Sequence, residues 1–358
     1  MQLKHPQTNK EFMKKIFKKR TTKQPDQSSM RITNETVAEH RERILAGGRK
    51  FKYPVQYARH RLVINAVIIA LTAVIILGVV GWWQLYSVQN TSTFFYRATK
   101  VLPLSVASVD GESVRYSDYL MRLRSQEHWL AAKGQIEQGK KDNERQINYI
   151  KRSVINGAEA DAYAAKLARE KNLTVTDDEV DAVVKRSLQT ANGTISQELY
   201  DASTLETLGY DKDEYRLLIR QSLLRHKVSY TIDTHASETV GAVAQLVADP
   251  NADFDAIAKQ VEGVQSGSSG LVRKTNQDGG LTQAATKLTV GQTSEAIKST
   301  TGDGYYFVKL VESNANELSY RYLKVPLTTF NAAFTQLREQ NKIKEYISIP
   351  VSEAQIIQ

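Results

Sequence analysis

The stretch LVINAVIIALTAVIILGVVGWW, Leu62 to Trp83, carries no charged side chain and divides the chain into two unequal parts. A hydrocarbon core about 30 Å thick is crossed by roughly 20 helical residues, so this run is long enough to span a bilayer. Trp82, Trp83 and Tyr86 stand where an interfacial aromatic belt marks one end of a span. Only Asn65 and Thr72 interrupt the apolar run, which argues against a globular helix with a polar face. A cleaved secretory signal would have a shorter apolar core nearer the start. The expectation is a single-pass membrane anchor over 62–86.

Charge sets the orientation. Residues 1–61 hold 16 Lys and Arg against 5 Asp and Glu, while the whole chain has 48 against 39. The N-terminal arm is therefore strongly basic and the rest slightly acidic. The positive-inside rule places the arm in the cytoplasm and the C-terminal body outside. Lys14, Lys15, Lys18, Lys19, Arg20 and Lys23 form one basic cluster. Residues 33–46 read as a short helix capped by Thr33 or Asn34 and stopped at Gly47-Gly48. Arg49, Lys50, Lys52, Arg59 and Arg61 then crowd the membrane edge, where each contributes about 1 kcal/mol of attraction to anionic lipid. Membrane lipid is thus an expected partner of helix and arm, and nucleic acid is not.

About 270 residues follow the span, enough for one large or two ordinary domains with real cores. The chain has no cysteine, which excludes a disulfide framework, a thiolate metal site and a cysteine nucleophile. Neither a metal site nor a cofactor is expected. His128 stands alone, and the acids Asp177, Asp178, Glu179 and Asp181 lack the glycine-bearing loop of a calcium site. They suit the start of a helix instead.

Residues 87–103 read as a linker. From Leu104, Val106 to Val109 form a short strand closed by Asp110-Gly111, and Ser117 caps a helix. Ile147, Ile150, Val154, Ala158 and Ala162 recur at steps of three and four, the mark of one apolar helix face. Thr176-Asp-Asp-Glu179 supplies a capping box for the next helix. Gly209 ends a polar stretch, Asp211-Lys-Asp-Glu214 opens another helix, and Tyr215, Leu218, Ile219 and Ser222 share its face.

The phrases VASVDGESVRYSDYL, SVINGAEADAYAAKLAREKNLTVTDDEV and LGYDKDEYRLLIRQSLLRHKV occur in that order. Together, over 104–232, they resemble the helical N-terminal module of SurA- and PrsA-like foldases, extracytoplasmic peptidyl-prolyl isomerase chaperones. Residues 233–315 resemble the parvulin domain that follows such a module. The likeness rests on Ala252–Ala258, the glycine-rich phrase Gly267–Leu271, Lys287–Ser294 and the alternating Gly302–Val311.

The resemblance implies an α+β protein: an N-terminal transmembrane helix, a helical chaperone module and a small antiparallel-sheet parvulin-like domain. It implies a first sheet strand over Lys227–Asp233. Parvulins usually place two histidines beneath an apolar pocket, and those positions fall on Tyr230 and Tyr306 here, with His226 and His235 flanking the first. Tyr230 and Tyr306 are thus the candidate catalytic residues, at positions usually His. Leu271, Leu281 and Phe307 are the candidate substrate-binding residues. Ordinary strand aromatics would look the same, and the run Ser266–Gly270 reads equally as a flexible loop. Residues 316–358 follow as a strand over Leu318–Val325 and a helix from Thr328 to about Ile347. That helix carries Phe330, Phe334 and Leu337 on one face and is expected to pack back on the helical module.

The expected function is a membrane-anchored extracytoplasmic foldase for unfolded or newly exported polypeptides, its isomerase activity weakened or lost with the histidines. A non-catalytic scaffold of a cell-envelope complex is the alternative. Because the chain lacks cysteine, single-cysteine labelling tests the topology directly. A cysteine at Asn314 in intact cells should react with a membrane-impermeant maleimide, and one at Thr8 only after lysis. The opposite pattern would invert the orientation.

Overall fold

A computed structural model describes residues 33–134, 143–190 and 193–350, without the side chains of 48–59 and 143. The basic cluster Lys14–Lys23 lies outside the described residues. The chain divides into two compact units, residues 1–77 and 78–358.

In the first unit, helix α1 (Asn34–Trp82) runs straight through Gly47-Gly48, where a stop was expected. Glycine inside a helix costs only about 1 kcal/mol relative to alanine, and the long apolar continuation keeps the helix going. Residues 60–80 are exposed. Among the described residues, His60–Ser87 is the one helical stretch long and apolar enough to cross a membrane.

The second unit opens on the last turn of α1 and a π-helical turn, Trp83–Ser87. Leu85 is buried there, and its carbonyl accepts the Tyr116 hydroxyl at 2.5 Å. The Tyr86 hydroxyl donates to the Ser105 carbonyl at 2.8 Å. The expected linker proves to be helix α2 (Thr93–Val101), which buries Tyr96 and Thr99. Tyr96 donates to Glu214 Oε1 at 2.5 Å, tying α2 to a helix more than a hundred residues later.

Strands β1 (Ser105–Val109) and β2 (Glu112–Arg115) form the hairpin expected at Asp110-Gly111. Both turn residues have positive φ, 48° and 84°, as a two-residue turn matched to strand twist requires. Helix α3 (Tyr116–Ala132) starts just before Ser117, which is buried in its first turn rather than capping it. Helix α4 (Asn143–Glu170) follows the expected apolar face, with Val154, Ile155 and Ala158 buried. Helix α5 (Asp177–Ser187) has the Thr176 capping box. Hairpin β3–β4 (Gln189–Thr190, Gly193–Thr194) leads to α6 (Gln197–Leu208), which ends at Gly209 with φ 71°. Helix α7 (Lys212–Ile232) has a second capping box at Asp211.

Helix α7 overturns the strand expected over Lys227–Asp233. Val-Ser-Tyr-Thr-Ile has strand composition, yet Leu224, Val228 and Ile232 recur every four residues and pack into the module core. Burial of that helical face outweighs the weak local preference for a strand.

The sheet domain contains α8 (Thr234–Val247), α9 (Phe254–Gln260), β5 (Gln265–Arg273), α10 (Leu281–Ala285), β6 (Ile297–Lys298), β7 (Gly304–Ser313) and β8 (Glu317–Pro326). Its four strands are antiparallel in the order β5-β8-β7-β6. The Gly/Ser run read as a loop is part of β5. Gly267 lies against the ring of Tyr322, where a Cβ would come within 2.4 Å. The strand at Leu318–Val325 is present as β8 and fills the sheet between β5 and β7. Side chains alternate across β7. Tyr305 and Phe307 face α8 and α9 with Leu323 and Val325, while Tyr306, Val308 and Leu310 face α10 with Leu318 and Tyr320.

The chain then returns to the helical module. Helix α11 (Thr329–Glu339) ends eight residues before Ile347, and β9 (Ile343–Glu345) pairs with β1. Phe330 and Leu337 enter the module core as expected, with the Phe330 and Tyr163 rings 5.5 Å apart. Arg338 donates to Glu159 Oε2 at 2.9 Å, and Arg152 pairs with Glu345 at 2.5 Å.

Asp233 sits where the chain crosses between the two parts and is 1% exposed. Its Oδ1 accepts the Ala236 N–H at 3.0 Å, capping α8. Its Oδ2 accepts the Thr328 and Thr329 N–H groups at 2.7 and 3.0 Å, capping α11. Burial alone would raise the carboxyl pKa, but the backbone N–H groups of Thr329, Ala236 and Thr328 outweigh it and hold it below the ordinary value. In urea unfolding, Asp233→Ala should lose about 2–4 kcal/mol and Asp233→Asn about half as much. The depressed folded pKa makes the wild-type contribution complete above the unfolded value of 3.8. It is lost as pH falls through the lower folded value, so the gap between wild type and Asp233→Ala should close in acid.

Candidate functional site

An open cleft of about 570 Å³ lies between α5 and α7 on one side and the loops 276–283 and 298–301 of the sheet domain on the other. That volume falls in the range of ligand sites. The helical wall carries Leu173, Val183 and Leu223 with Arg186, His226, Lys227 and Tyr230. The opposite wall is mostly backbone and short polar side chains, with Lys298 the one charged residue.

Two sets of hydrogen bonds hold the walls together. Gln277 Nε2 donates to the carbonyls of Arg186 and Gln189, at 2.9 and 3.2 Å, at the end of α5. The Tyr230 hydroxyl, on α7, lies 2.6 Å from the Gly304 carbonyl and 3.1 Å from that of Ser299. Burial, with Asp303 nearby, pushes the Tyr230 pKa well above that of a free phenol. The ring of Tyr230 packs edge-on against Tyr305, centroids 5.0 Å apart, with Lys298 Nζ 5.4 Å from its centre.

His226 lies one turn before Tyr230, its Nε2 3.3 Å from Ser222 Oγ. Burial, with Arg225 beside it, lowers its pKa against the weaker pull of Asp303. It is therefore a neutral imidazole at pH 7. The ring packs directly on Gly302, where a Cβ would fall 2.1 Å from His226 Cδ2 and where φ is 73°. Both the contact and the left-handed backbone demand glycine.

Tyr306 does not line the cleft. Its hydroxyl donates to Asp303 Oδ2 at 2.6 Å, and Lys324 Nζ approaches the same oxygen at 2.7 Å. Thr301 Oγ1 donates to Asp303 Oδ1 at 2.6 Å. Burial pushes the Asp303 pKa up, but Lys324, Thr301 and Tyr306 together hold it far below the usual carboxylate range. Tyr230 and Tyr306 thus brace the same loop, 299–304, from opposite sides, and each spends its proton on a fixed acceptor. Such phenols donate hydrogen bonds and do not accept a proton at neutral pH.

The three apolar candidates do not gather into one pocket: Leu281 and Phe307 pack in separate clusters, with Tyr306 and Tyr230 respectively, and Leu271 in neither. Leu281 is buried in the cluster with Tyr306. Phe307 is on the opposite face of the sheet, at a second groove of about 430 Å³ beside Val247 and Thr293. Leu271 is 55% exposed on β5. His235 is exposed at the start of α8. The sequence reading missed Arg186, Gln277 and Lys298 as neighbours. They come from segments up to about 110 residues apart, and no local spacing connects them.

Residues 57–229 match the family described as the SurA-like N-terminal domain. The match begins within α1, takes in the apolar run and the helical module, and stops near the end of α7. It does not extend to the sheet domain. No curated protein and no solved structure matches the chain. The chain therefore carries a SurA-like N-terminal module, which is of chaperone type.

The packing of His226 on Gly302 fixes a prediction about the cleft wall. Gly302→Ala should lose about 1–2 kcal/mol from the left-handed backbone alone, with the clash added. In a double-mutant cycle with His226→Ala, the two losses should fall short of additivity by about 1 kcal/mol. Additive losses in thermal or urea unfolding would show that the imidazole does not rest there.

Proposed function

We propose that this protein is a membrane-anchored extracytoplasmic chaperone that holds unfolded client polypeptides in the cleft between its helical module and its sheet domain. The observation that carries this reading is the cleft itself, an open trough with apolar patches along its helical wall. One wall of it belongs to the SurA-like module. A chain segment lying there would bury Leu173, Val183 and Leu223 and meet hydrogen-bonding groups along the other side. Apolar contact with many sequences, rather than one tailored pocket, suits a holder of varied clients.

The helix His60–Ser87 supplies the anchor in this reading, and the basic residues before it set the orientation. The sheet domain acts as a wall rather than as a prolyl isomerase. Isomerisation needs an apolar grip on the ring and preorganised groups around an amide whose barrier is about 18–20 kcal/mol. Tyr230 and Tyr306 are instead committed to the 299–304 loop, and Leu271, Leu281 and Phe307 face different ways.

Two assays on the full chain in detergent micelles test the reading. At near-equimolar ratio it should suppress aggregation of a chemically unfolded client. It should leave the exchange of an X-Pro peptide, which takes tens of seconds or more uncatalysed, unaccelerated. Acceleration that falls with Tyr230→Phe or Tyr306→Phe would restore a catalytic role to the tyrosines. Failure to suppress aggregation, with one stoichiometric envelope partner recovered instead, would favour a scaffold.

A further inference from the structure

The charge of the cleft is one-sided. Arg186, Lys227, Lys298 and the imidazole of His226 line it, and no Asp or Glu does. Three carboxylates next in sequence to lining residues or paired with one, Glu179, Asp278 and Asp303, already have partners. Glu179 closes the capping box of α5 and pairs with Lys227 at 2.6 Å. Asp278 accepts from Thr282, from Asn276 at 2.9 Å and from Tyr320 at 2.5 Å. Asp303 accepts from Lys324, Thr301 and Tyr306. That leaves Lys227 neutralised and His226 uncharged at pH 7. Among the described residues, Arg186 and Lys298 have no carboxylate partner.

The two free cations stand on opposite walls, Arg186 at the end of α5 and Lys298 on β6. Lys298 is held in place by the faces of Tyr230 and Tyr305, 5.4 and 5.8 Å from their centres. A side chain held over two aromatic rings has less freedom to lose when an anion binds. Apolar surface flanked by two uncompensated cations complements an extended segment that alternates apolar and acidic residues.

We propose that the cleft prefers acidic segments of client polypeptides, with Arg186 and Lys298 as the groups that meet their carboxylates. This rests on the reading of the cleft as the holding site. Three labelled, unstructured peptides that share the same apolar residues and carry Glu, Gln or Lys between them test it by fluorescence anisotropy with the full chain in neutral detergent. The Glu peptide should bind about tenfold tighter than the Gln peptide at low salt, and the advantage should shrink at high salt.

The doubly reversed variant Arg186→Glu with Lys298→Glu should turn the preference toward the Lys peptide. Lys227 is left unchanged, since removing it would strand Glu179. An acidic preference that survives the reversal would assign the effect to the basic N-terminal arm and overturn the proposal. Equal binding of the Glu and Gln peptides would also overturn it, while leaving the holding role intact. Failure of all three peptides to bind would overturn the holding role and this inference together.

Discussion

One buried carboxylate decides how the body of this protein is put together. The chain passes from the helical module into the sheet domain once and returns once, and Asp233 stands at both crossings. It caps the helix that enters the sheet domain and the helix that leaves it. An ionised group out of water survives only where donors replace its hydration, and here three backbone N–H groups do so. The requirement works in both directions. Asp233 needs both helix starts in place, and both helix starts need Asp233, so the relation of module to sheet is fixed by a few ångströms of hydrogen-bond geometry. The cleft inherits its shape from that relation.

The returning chain makes the module a composite of distant segments. Helix α11 lays Phe330 and Leu337 into the core begun by α3 and α4, and β9 supplies the third strand beside β1. The polar contacts of this join are partly buried. Glu159 is fully buried, and among the described residues its Oε1 has no hydrogen-bond partner. Burial, reinforced by Glu345, pushes its pKa up to about 7, against the opposing pull of Arg338 and Arg152. Farther along, Gln89 donates to the Ser348 carbonyl at 2.8 Å and Arg152 to the Ile349 carbonyl at 3.1 Å.

What could be read from the sequence divides along the range of the forces involved. The capping box at Thr176, the helix start at Asp211 and the Asp110-Gly111 turn were legible, because each is decided within four residues. The apolar face of α4 was legible for the same reason. Residues 227–233 were not, since Val-Ser-Tyr-Thr-Ile favours a strand locally while Leu224, Val228 and Ile232 are claimed by a core built elsewhere. The Gly/Ser run of β5 hid its strand because its partner, β8, lies some fifty residues on and supplies the bulk that glycine lacks. Tyr230 was found at the cleft from resemblance alone, on the wrong kind of element. Arg186, Gln277 and Lys298 belong together only after three separate segments have folded, and no pattern of neighbours encodes that.

The pairing of β1 with β9 also sets a clock. The two strands are roughly 240 residues apart, so synthesis at about 5–20 residues per second separates their appearance by roughly ten to fifty seconds. Throughout that interval the outer edge of β1 is an open backbone template, of the kind that invites pairing with another chain. A newborn copy therefore passes through a stage in which it needs shelter of its own.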